Sequence, residues 1–347
     1  NANLGARNCV EIMELLKLQE QERAEVFRQI SQKTNLNEVA VEKDWWVTSV
    51  LHALFALPYA ENLSLKGGTS LSKCYNLIER FSEDVDIAIN REFFGFIGDT
   101  FTIKQISKNL RKATCKFIRN NLQFDLVRQM EEDGIPADLF SVQMNITPIT
   151  TIDPEKIFVE YKSVFNASPY IKNTVILEIG GRSMKEPVQK VEIQSFVDKY
   201  FPQANFSQKS FEVNTVVPER TFLEKICLLH EEFSKSDEQV RVERMSRHIY
   251  DLAKMIDTTI ADNSLRNKDL FQSIVAHRRM FIAMKDFDYD TLNPKTINII
   301  PPESVIELWK EDYEKMLQTM IFRETLTFSE VIDKIIDLNK KIREMTW

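Results

Sequence analysis

The sequence predicts an α+β protein, in which a small mixed β-sheet with flanking helices precedes a helical C-terminal half. Residues 62–90 read as strand, glycine turn, helix and strand. Residues 138–217 contain short apolar runs separated by Pro and Gly, a pattern typical of strands and turns, and the first predicted strand runs from Phe140 to Ile149. Beyond Pro218, apolar residues recur at helical spacing. This spacing predicts helices over about 218–232, 238–257, 264–283, 302–321 and 327–345. We therefore predict three segments: an N-terminal helix (1–36), an α+β core (37–217) and a helical domain (218–347).

The composition is that of a globular protein. The 347 residues are 43% hydrophobic and 28% charged, which is ordinary for a soluble chain with a sizeable core. No run approaches the roughly 18 apolar residues of a membrane span, and no signal peptide opens the chain. The four cysteines are scattered without paired spacing, which favours reduced thiols. We therefore expect a cytoplasmic protein with no membrane partner.

Two helices are predicted before the first strand. Residues 8–33 form an amphipathic pattern among many charges, and residues 37–57 form a more apolar one. The second helix contains the segment 42–46, Glu-Lys-Asp-Trp-Trp. The simplest interpretation is that the two tryptophans pack this helix onto the sheet while Lys43 and Asp44 lie at a polar edge.

The segment after the first strand has the features of a phosphate-binding turn. Gly67 and Gly68 allow backbone conformations that other residues resist, so a ligand can come close. Thr69 is a suitable N-cap for a helix that runs to about Glu79. The free N–H groups at a helix start, together with the helix dipole, favour an anion such as phosphate.

Two aspartates follow on the next predicted strand. Asp84 and Asp86 alternate with Val85 and Ile87, so both carboxylates project from one face. Carboxylates roughly 6–7 Å apart on a strand repel each other unless a cation lies between them. Hard oxygen ligands suit Mg²⁺ or Mn²⁺. A glycine pair by itself is commonly an ordinary turn, and a D-x-D pattern by itself is commonly the end of a strand. Because the two patterns lie close together here, we expect them to form one binding site.

This combination resembles a known signature. Residues 66–71, KGGTSL, and residues 80–86, RFSEDVD, are similar to the G-G-[ST]…D-x-D motif of the nucleotidyltransferase (DNA polymerase β-like) superfamily, and more narrowly to the AbiEii/AbiGii toxin family. The resemblance covers roughly residues 39–260. It implies the nucleotidyltransferase fold, an NTP substrate, a cognate antitoxin, and a metal held by Asp84 and Asp86. The implied nucleotide-binding residues are Lys66, Gly67, Gly68, Thr69, Ser70, Arg80 and Ser82.

Two elements of the helical half resemble the toxin family in particular. Lys225 lies on an apolar helix face, where snorkelling is the ordinary explanation. The family's E-K-h-x-x-h element implies instead that this lysine reaches the triphosphate. Residues 247–252, RHIYDL, resemble the element R-[DH]-x-x-D-[LI], which implies that Asp251 orients Lys225 or Arg247 beside the nucleotide. A surface ion pair is the alternative, and His248 stands where the family more often has Asp.

A third acid is expected on a neighbouring strand. Glu178 interrupts the strongly apolar run 173–181, where an unpaired buried carboxylate would be costly. The superfamily resemblance implies that such an acid completes the metal site and acts as base for the attacking hydroxyl. Glu178 is our candidate, ahead of Glu192. An outward-facing edge residue is the alternative.

The predicted helix 102–131 carries an unmixed basic stripe. Its apolar residues keep helical spacing, and cations with no acid between them fall mostly on the opposite side. These cations are Lys104, Lys108, Arg111, Lys112, Lys116 and Arg119. The net charge of −7 does not favour a nucleic-acid partner, but a segregated stripe can still bind RNA. A solvated helix face is the alternative.

Together these features predict a Mg²⁺-dependent nucleotidyltransferase of the EC 2.7.7 class. The predicted catalytic residues are Asp84, Asp86, Glu178, Lys225 and Asp251. The family resemblance implies a toxin of a bacterial toxin–antitoxin or phage-defence system that adds nucleotides to RNA, namely the 3′ end of tRNA. Nucleotidylation of a protein hydroxyl or a small molecule is the alternative. A non-catalytic nucleotide-binding module is least favoured, because both aspartates and the glycine turn are present.

Overall fold

A computed structural model shows an α+β protein built around one seven-stranded mixed sheet. It describes residues 14–82, 84–97, 102, 106–149, 154–166, 171–181, 186–321, 323 and 325–345. The strands are β1 (Leu63–Lys66), β2 (Asp84–Ile89), β3 (Phe140–Met144), β4 (Glu155–Tyr161), β5 (Thr174–Gly180), β6 (Val188–Ile193) and β7 (Phe211–Val216). The predicted fold class is confirmed.

The strand order is β3-β4-β5-β2-β1-β7-β6, so the two strands of the predicted site lie at the centre of the sheet. The strand β1 pairs with β2 antiparallel and with β7 parallel. The strand β2 pairs with β5 parallel. The register places Lys66 opposite Asp86, and Asp86 beside Glu178. Three predicted site residues are thereby brought to adjacent strand positions.

Helices cover the sheet and form the C-terminal half. Before β3 they are α1 (Glu14–Lys17), α2 (Glu20–Thr34), α3 (Glu38–Ala56), α4 (Gly67–Thr69), α5 (Arg111–Phe117) and α6 (Gln123–Glu132). After β6 they are α7 (Phe196–Tyr200), α8 (Pro218–Phe233), α9 (Ser246–Met255), α10 (Thr259–Arg266), α11 (Lys268–His277), α12 (Ile306–Thr319) and α13 (Phe328–Glu344). Wider π-helical turns precede α5 and α6, over Ile106–Leu110 and Ile118–Leu122. The predicted helix 102–131 is therefore helical wherever it is described from residue 106.

The helix after the glycine turn is shorter than predicted. A π-helical turn, Ser70–Cys74, extends α4. The chain then leaves helical geometry at Asn76, whose φ of 51° is left-handed. The predicted end near Glu79 was wrong, because a left-handed residue terminates a helix. The predicted N-cap was also wrong: Lys66 occupies that position and Thr69 lies within the turn.

Two other predicted boundaries differ from the structure. The strand β3 ends at Met144 rather than near residue 149. The predicted helix over 264–283 begins inside α10 and breaks at Asn267. The Asn267 side chain accepts a hydrogen bond from Leu270 N and so caps α11. These differences leave the centre of the sheet unchanged.

Two hydrophobic cores hold the molecule together. The first joins the sheet to α2, α3 and α6 and buries Trp45 and Trp46. The second lies among the helices from α8 to α13. Leu71 and Ile78, which lie between β1 and β2, belong to the second core. The boundary predicted at residue 217 therefore remains a prediction, although most of each core lies on one side of it.

Candidate active site

The glycine turn closes tightly against the acidic strand. Gly67 has a φ of 72°, a conformation that L side chains rarely adopt. A Cβ added at Gly67 would overlap the Asp86 Oδ2 atom, and one added at Gly68 would overlap the Arg80 guanidinium. Gly67 therefore needs glycine for its backbone conformation, whereas a side chain at position 68 would have to displace the Arg80 guanidinium.

Asp84 and Asp86 line one cavity together with the glycine turn. This catalytic cavity has a volume of about 220 Å³. Its wall includes Gly67 and Gly68, and the intervening Val85 is fully buried beneath the strand. The two carboxylates thus share one face of β2, as the alternation predicted.

The donor set of this cavity fits a divalent cation. Burial raises the pKa of Asp86 to about 6, and the negative charges of Glu178 and Asp84 add to the rise although Lys66 opposes it. A cation between the carboxylates would relieve that repulsion. Within the described residues, no three or more His, Cys, Asp or Glu side chains gather as a ligand set. The protein ligands would therefore be Asp84 and Asp86, with the remaining positions left to phosphate oxygens and water.

Glu178 lies in the same cavity on the neighbouring strand. It is the in-register partner of Asp86 across the parallel β2–β5 pair. Its carboxylate is held by Lys156 Nζ at 2.5 Å. The runner-up, Glu192, lies on the edge strand β6 and accepts a hydrogen bond from Ser210, outside the lining of this cavity. Of the two acids, only Glu178 is placed beside the aspartate pair.

A buried ion network forms the opposite wall. Asp251 is fully buried and accepts two hydrogen bonds from the Arg80 guanidinium, at 2.7 and 2.8 Å. Lys225 Nζ lies 2.9 Å from the same carboxylate. Burial works against ionisation of Asp251, but the two cations outweigh it and lower its pKa below the ordinary range. One carboxylate therefore holds the two predicted triphosphate-binding cations.

Lys225 has a second partner that the sequence did not single out. Its Nζ lies 3.3 Å from His248 Nδ1. Burial and the nearby charges of Lys225 and Arg247 hold the pKa of His248 well below its usual value. The imidazole is therefore neutral, and its Nδ1 accepts from the ammonium. Two of the three lysine N–H groups are used in this way, and the third is left for the cavity.

Arg247 contacts the acidic strand instead of Asp251. Its Nη1 lies 3.4 Å from Asp84 Oδ2. The resemblance had implied that Asp251 orients Lys225 or Arg247, and the structure shows contact with the first. Arg247 closes the cavity beside Asp84.

A comparison with protein families identifies the family of this chain. The model of the AbiEii family, described as a nucleotidyl transferase toxin of a type IV toxin–antitoxin system, matches residues 49–334. The chain belongs to the AbiEii family. The resemblance inferred from the sequence is confirmed over more of the chain than the motifs alone cover.

The fold is also that of one solved nucleotidyltransferase toxin. The chain is similar to MenT4, a nucleotidyltransferase toxin from Mycobacterium tuberculosis, with a TM-score of 0.56 and 15% identity over 95% of this chain and 91% of that one. It also matches JHP933 from Helicobacter pylori, with a TM-score of 0.43 and 15% identity over 89% of this chain and 94% of that one. No curated protein sequence matches the chain. No helix in the described ranges is long and apolar enough to cross a membrane.

Two predicted nucleotide-binding residues of this AbiEii toxin use their side chains within the glycine turn. The Thr69 hydroxyl donates to the Asp84 carbonyl at 2.5 Å, and the Ser70 hydroxyl donates to the Gly67 carbonyl at 2.9 Å. Both residues are buried. Arg80 is engaged by Asp251, although it also borders the cavity, as Ser82 does. Thr69 and Ser70 therefore shape the glycine turn, and their hydroxyls are engaged by backbone carbonyls.

Lys66 lies in a mixed cluster at the deep end of the cavity. Burial lowers the pKa of its ammonium, but the charges of Glu186, Glu224 and Asp86 outweigh burial and raise it. Arg220 joins the cluster, at 3.1 Å from both glutamates. Lys66 therefore stays protonated and offsets the charge of Asp86.

Only some cations of the predicted basic stripe are exposed to a partner; others are bound within the protein. Lys108, Lys112 and Lys116 are exposed. Arg119 instead pairs with Glu155 at 2.7 Å and donates to two backbone carbonyls. Arg111 donates to the Phe281 carbonyl. Lys104 lies outside the described residues. We therefore reduce the candidate RNA surface to the three exposed lysines and call it the lysine face.

Two charged residues of the cavity were missed by the sequence analysis. Glu224 and Arg278 both line the catalytic cavity. Glu224 could have been found, because it follows Arg220 by four positions on one helix face. Arg278 reaches the site from beyond α11, where it forms an ion pair with Glu231. No local pattern signals that approach.

Proposed function

We propose that this AbiEii toxin transfers a nucleoside monophosphate from an NTP to the 3′ end of tRNA, with release of pyrophosphate. The observation that carries the proposal is the placement of Asp84 and Asp86 in one cavity with the double-glycine turn. When bound at the two aspartates, Mg²⁺ or Mn²⁺ supplies charge neutralisation at the phosphoryl oxygens. We also propose that the toxin acts in the cytoplasm and is controlled by a cognate antitoxin.

The protein groups bind and orient the triphosphate. The backbone N–H groups at the start of the helical turn 67–74 face its phosphates. Lys225 adds one N–H donor, which Asp251 and His248 hold in place. The Arg80 guanidinium, held by Asp251 beside Gly68, adds positive charge at the same wall. Catalysis in such a site is chiefly positioning and electrostatic stabilisation.

The proposed reaction is one displacement at the α-phosphorus. The acceptor hydroxyl oxygen forms a bond to this phosphorus as the bond to the β-phosphate oxygen breaks. Pyrophosphate leaves with the electron pair of that bond. The hydroxyl proton passes to the Glu178 carboxylate, which Lys156 holds beside the aspartates.

Removal of either carboxylate tests the site. We expect Asp84→Asn and Asp86→Asn each to lower transfer from labelled NTP to total tRNA by about 10²-fold or more. Asp290→Asn is the matched control, because it removes the same charge at an exposed position. Thermal unfolding supplies a second readout: added Mg²⁺ should raise the Tm of the wild type and of the control, and should not raise that of the site variants. Full transfer by either site variant would refute the site.

Charge reversal of the lysine face tests the acceptor. We expect Lys108→Glu/Lys112→Glu/Lys116→Glu to raise KM for tRNA by about tenfold or more, because phosphate contacts dominate nucleic-acid affinity. KM for the NTP should not change. Lys340→Glu/Lys341→Glu, at two exposed positions of α13, is the control. Unchanged tRNA kinetics would favour a protein hydroxyl or a small molecule as the acceptor instead.

A further inference from the structure

A second cavity shares Arg80 with the catalytic cavity. Its volume is about 310 Å³, against about 220 Å³ for the catalytic cavity. It lies among the end of α2, the π-helical turn 70–74, the end of β6 and α7. Its size is at the lower end of small-molecule binding sites. None of the proposed catalytic steps uses it.

The wall of this second cavity is basic within an acidic chain. Five cations and three acids line it, and most of the acids are already neutralised. Asp44 is paired with Lys73 at 2.7 Å. Glu79 is paired with two cations, Lys254 at 2.8 Å and Arg323 at 3.3 Å. Because two of the three acids are paired in this way, the cavity wall carries more positive than negative charge.

Two lysines at this cavity lack an acidic partner. Lys33 and Lys199 are exposed, and neither has a carboxylate partner within the described part of the chain. The Lys33 ammonium instead lies 5.0 Å from the centre of the Phe201 ring. The third acid, Glu192, accepts a hydrogen bond from the Ser210 hydroxyl. An anion entering the cavity would therefore meet two ammonium groups without a carboxylate partner, against one unpaired carboxylate, that of Glu192.

Aromatic rings line the same cavity. Phe196 and Tyr200 lie one turn apart on α7, with their ring centres 6.4 Å apart, and both are partly exposed. A reciprocal capping box between Ser195 and Asp198 fixes the start of this helix, and both capping residues are buried. The Asp44 carboxylate also accepts from Phe196 N at 2.9 Å. The rings are thus presented on a rigid support.

We propose that the second cavity binds a nucleotide outside the catalytic site. The phosphate lies between Lys33 and Lys199, and the base lies against the rings of Phe196 and Tyr200. Cations combined with exposed rings are the usual means of binding a nucleotide without reading its sequence. The nucleotide is either a free mononucleotide or one unit of an RNA chain. This proposal does not depend on the transfer reaction.

Equilibrium binding in EDTA tests the proposal without turnover. The probes are the four nucleoside monophosphates, measured by calorimetry, and total tRNA, measured by filter binding. We expect Lys33→Glu/Lys199→Glu to weaken binding of at least one probe by about tenfold or more. Lys340→Glu/Lys341→Glu carries the same charge change at α13 and should bind as the wild type does.

The pattern of losses identifies the source of the nucleotide. Weaker monophosphate binding indicates a free nucleotide, whereas weaker tRNA binding alone indicates a unit of RNA. Inorganic phosphate should compete with the bound probe at least about tenfold less well than the matching nucleotide does, because it lacks a base to stack. Unchanged binding of every probe by the lysine variant, or equal competition by phosphate, would overturn the proposal.

Discussion

Asp251 joins two cations of the candidate active site. It is fully buried and holds both Arg80 and Lys225, which come from opposite halves of the chain. Such a carboxylate stabilises the fold only while both cations surround it, because a buried charge without partners is costly. Its lowered pKa means that this stabilisation is present at neutral pH and is lost as the pH falls below the ordinary aspartate range.

We expect Asp251→Asn to lower the free energy of unfolding by about 3–5 kcal/mol, because it leaves two buried cations with one neutral partner. Asp290→Asn is the control. That residue forms an exposed ion pair with Arg279, and its loss should cost under about 1 kcal/mol. Urea unfolding at pH 7 measures both. Equal losses in the two variants would show that the buried network does not stabilise the fold.

His248 positions Lys225 through one acceptor atom. Asn can present an oxygen near the place of Nδ1, whereas Leu cannot accept a hydrogen bond. We therefore expect His248→Leu to lower kcat by about 10²-fold, and His248→Asn to restore most of that loss. Steady-state kinetics with varied NTP, together with a Tm for each variant, separates positioning from folding. Equal activity of His248→Leu and His248→Asn would show that His248 Nδ1 does not act as a hydrogen-bond acceptor for Lys225.

Glu42 lies outside the active site and is expected to make stability depend on pH. It is 2% exposed, and its carboxylate accepts from Val164 N at 2.9 Å and from the Ser163 hydroxyl. Burial raises its pKa from 4.5 to about 7. A raised acid pKa means that the stabilisation is complete below about pH 4.5 and is lost as the pH rises through 7.

The isosteric variant Glu42→Gln should remove this dependence. We expect the wild type to lose about 3 kcal/mol relative to the variant between pH 4.5 and pH 8. Denaturant unfolding at several pH values measures the difference. Parallel pH curves for the two proteins would show that Glu42 ionises normally in the fold.

At the scale of the element, the glycine turn has two structural roles. It reverses the chain after β1, and it brings the start of the helical turn 67–74 against Asp86. The hydroxyl of Thr69 fastens the turn to the Asp84 carbonyl. The strand that carries the two aspartates and the glycine turn are thus held at a fixed distance.

We expect Gly67→Ala to abolish transfer, because its Cβ would overlap the Asp86 carboxylate. Gly95→Ala is a matched control, since Gly95 has a similar φ of 80° and no atom within 4 Å of an added Cβ. The control should lose only about 1–2 kcal/mol of stability to backbone strain and keep its activity. The two variants are compared by transfer assay and by Tm. An active Gly67→Ala protein would contradict the close approach.

At the scale of the molecule, the two halves share the active site. The catalytic cavity takes residues from β1, β2 and β5 on one side and from α8 and α9 on the other. The segment before β2 also pairs with the C-terminal region, because Phe81 N donates to the Met320 carbonyl at 2.7 Å. Leu71 and Ile78 extend the second core into the first half. The halves are therefore expected to unfold together.

We expect Leu71→Ala to lower the free energy of unfolding by about 2–5 kcal/mol, because Leu71 is fully buried. The loss should be the same whether it is measured by hydrogen exchange in β2 or in α9. Leu308→Ala, at an exposed position of α12, should change little. A loss confined to α9 would show that the two halves unfold independently.

Much of this protein can be predicted from local patterns. The period-two alternation of Asp84 and Asp86 reports the strand face directly, since it depends only on backbone geometry. The double glycine likewise indicates the turn, because glycine permits backbone conformations that other residues resist. The segment 62–90, in which the sequence predicts two strands, contains β1 and β2. The helix end at Asn76 was missed, because Asn is less specific than Gly for a left-handed residue.

The sequence by itself determined the fold class, the aspartate pair, the glycine turn and, through these motifs, the family. Only the tertiary structure decided which charges meet. It added Arg80 as a partner of Asp251 and showed Lys225, of the two cations that the resemblance implied, in contact with it. It also paired Arg119 with Glu155 and brought Arg278 and Glu224 into the cavity. The physical reason is that periodicity fixes which face a side chain occupies, whereas partners distant in sequence are chosen by how the helices pack against the sheet.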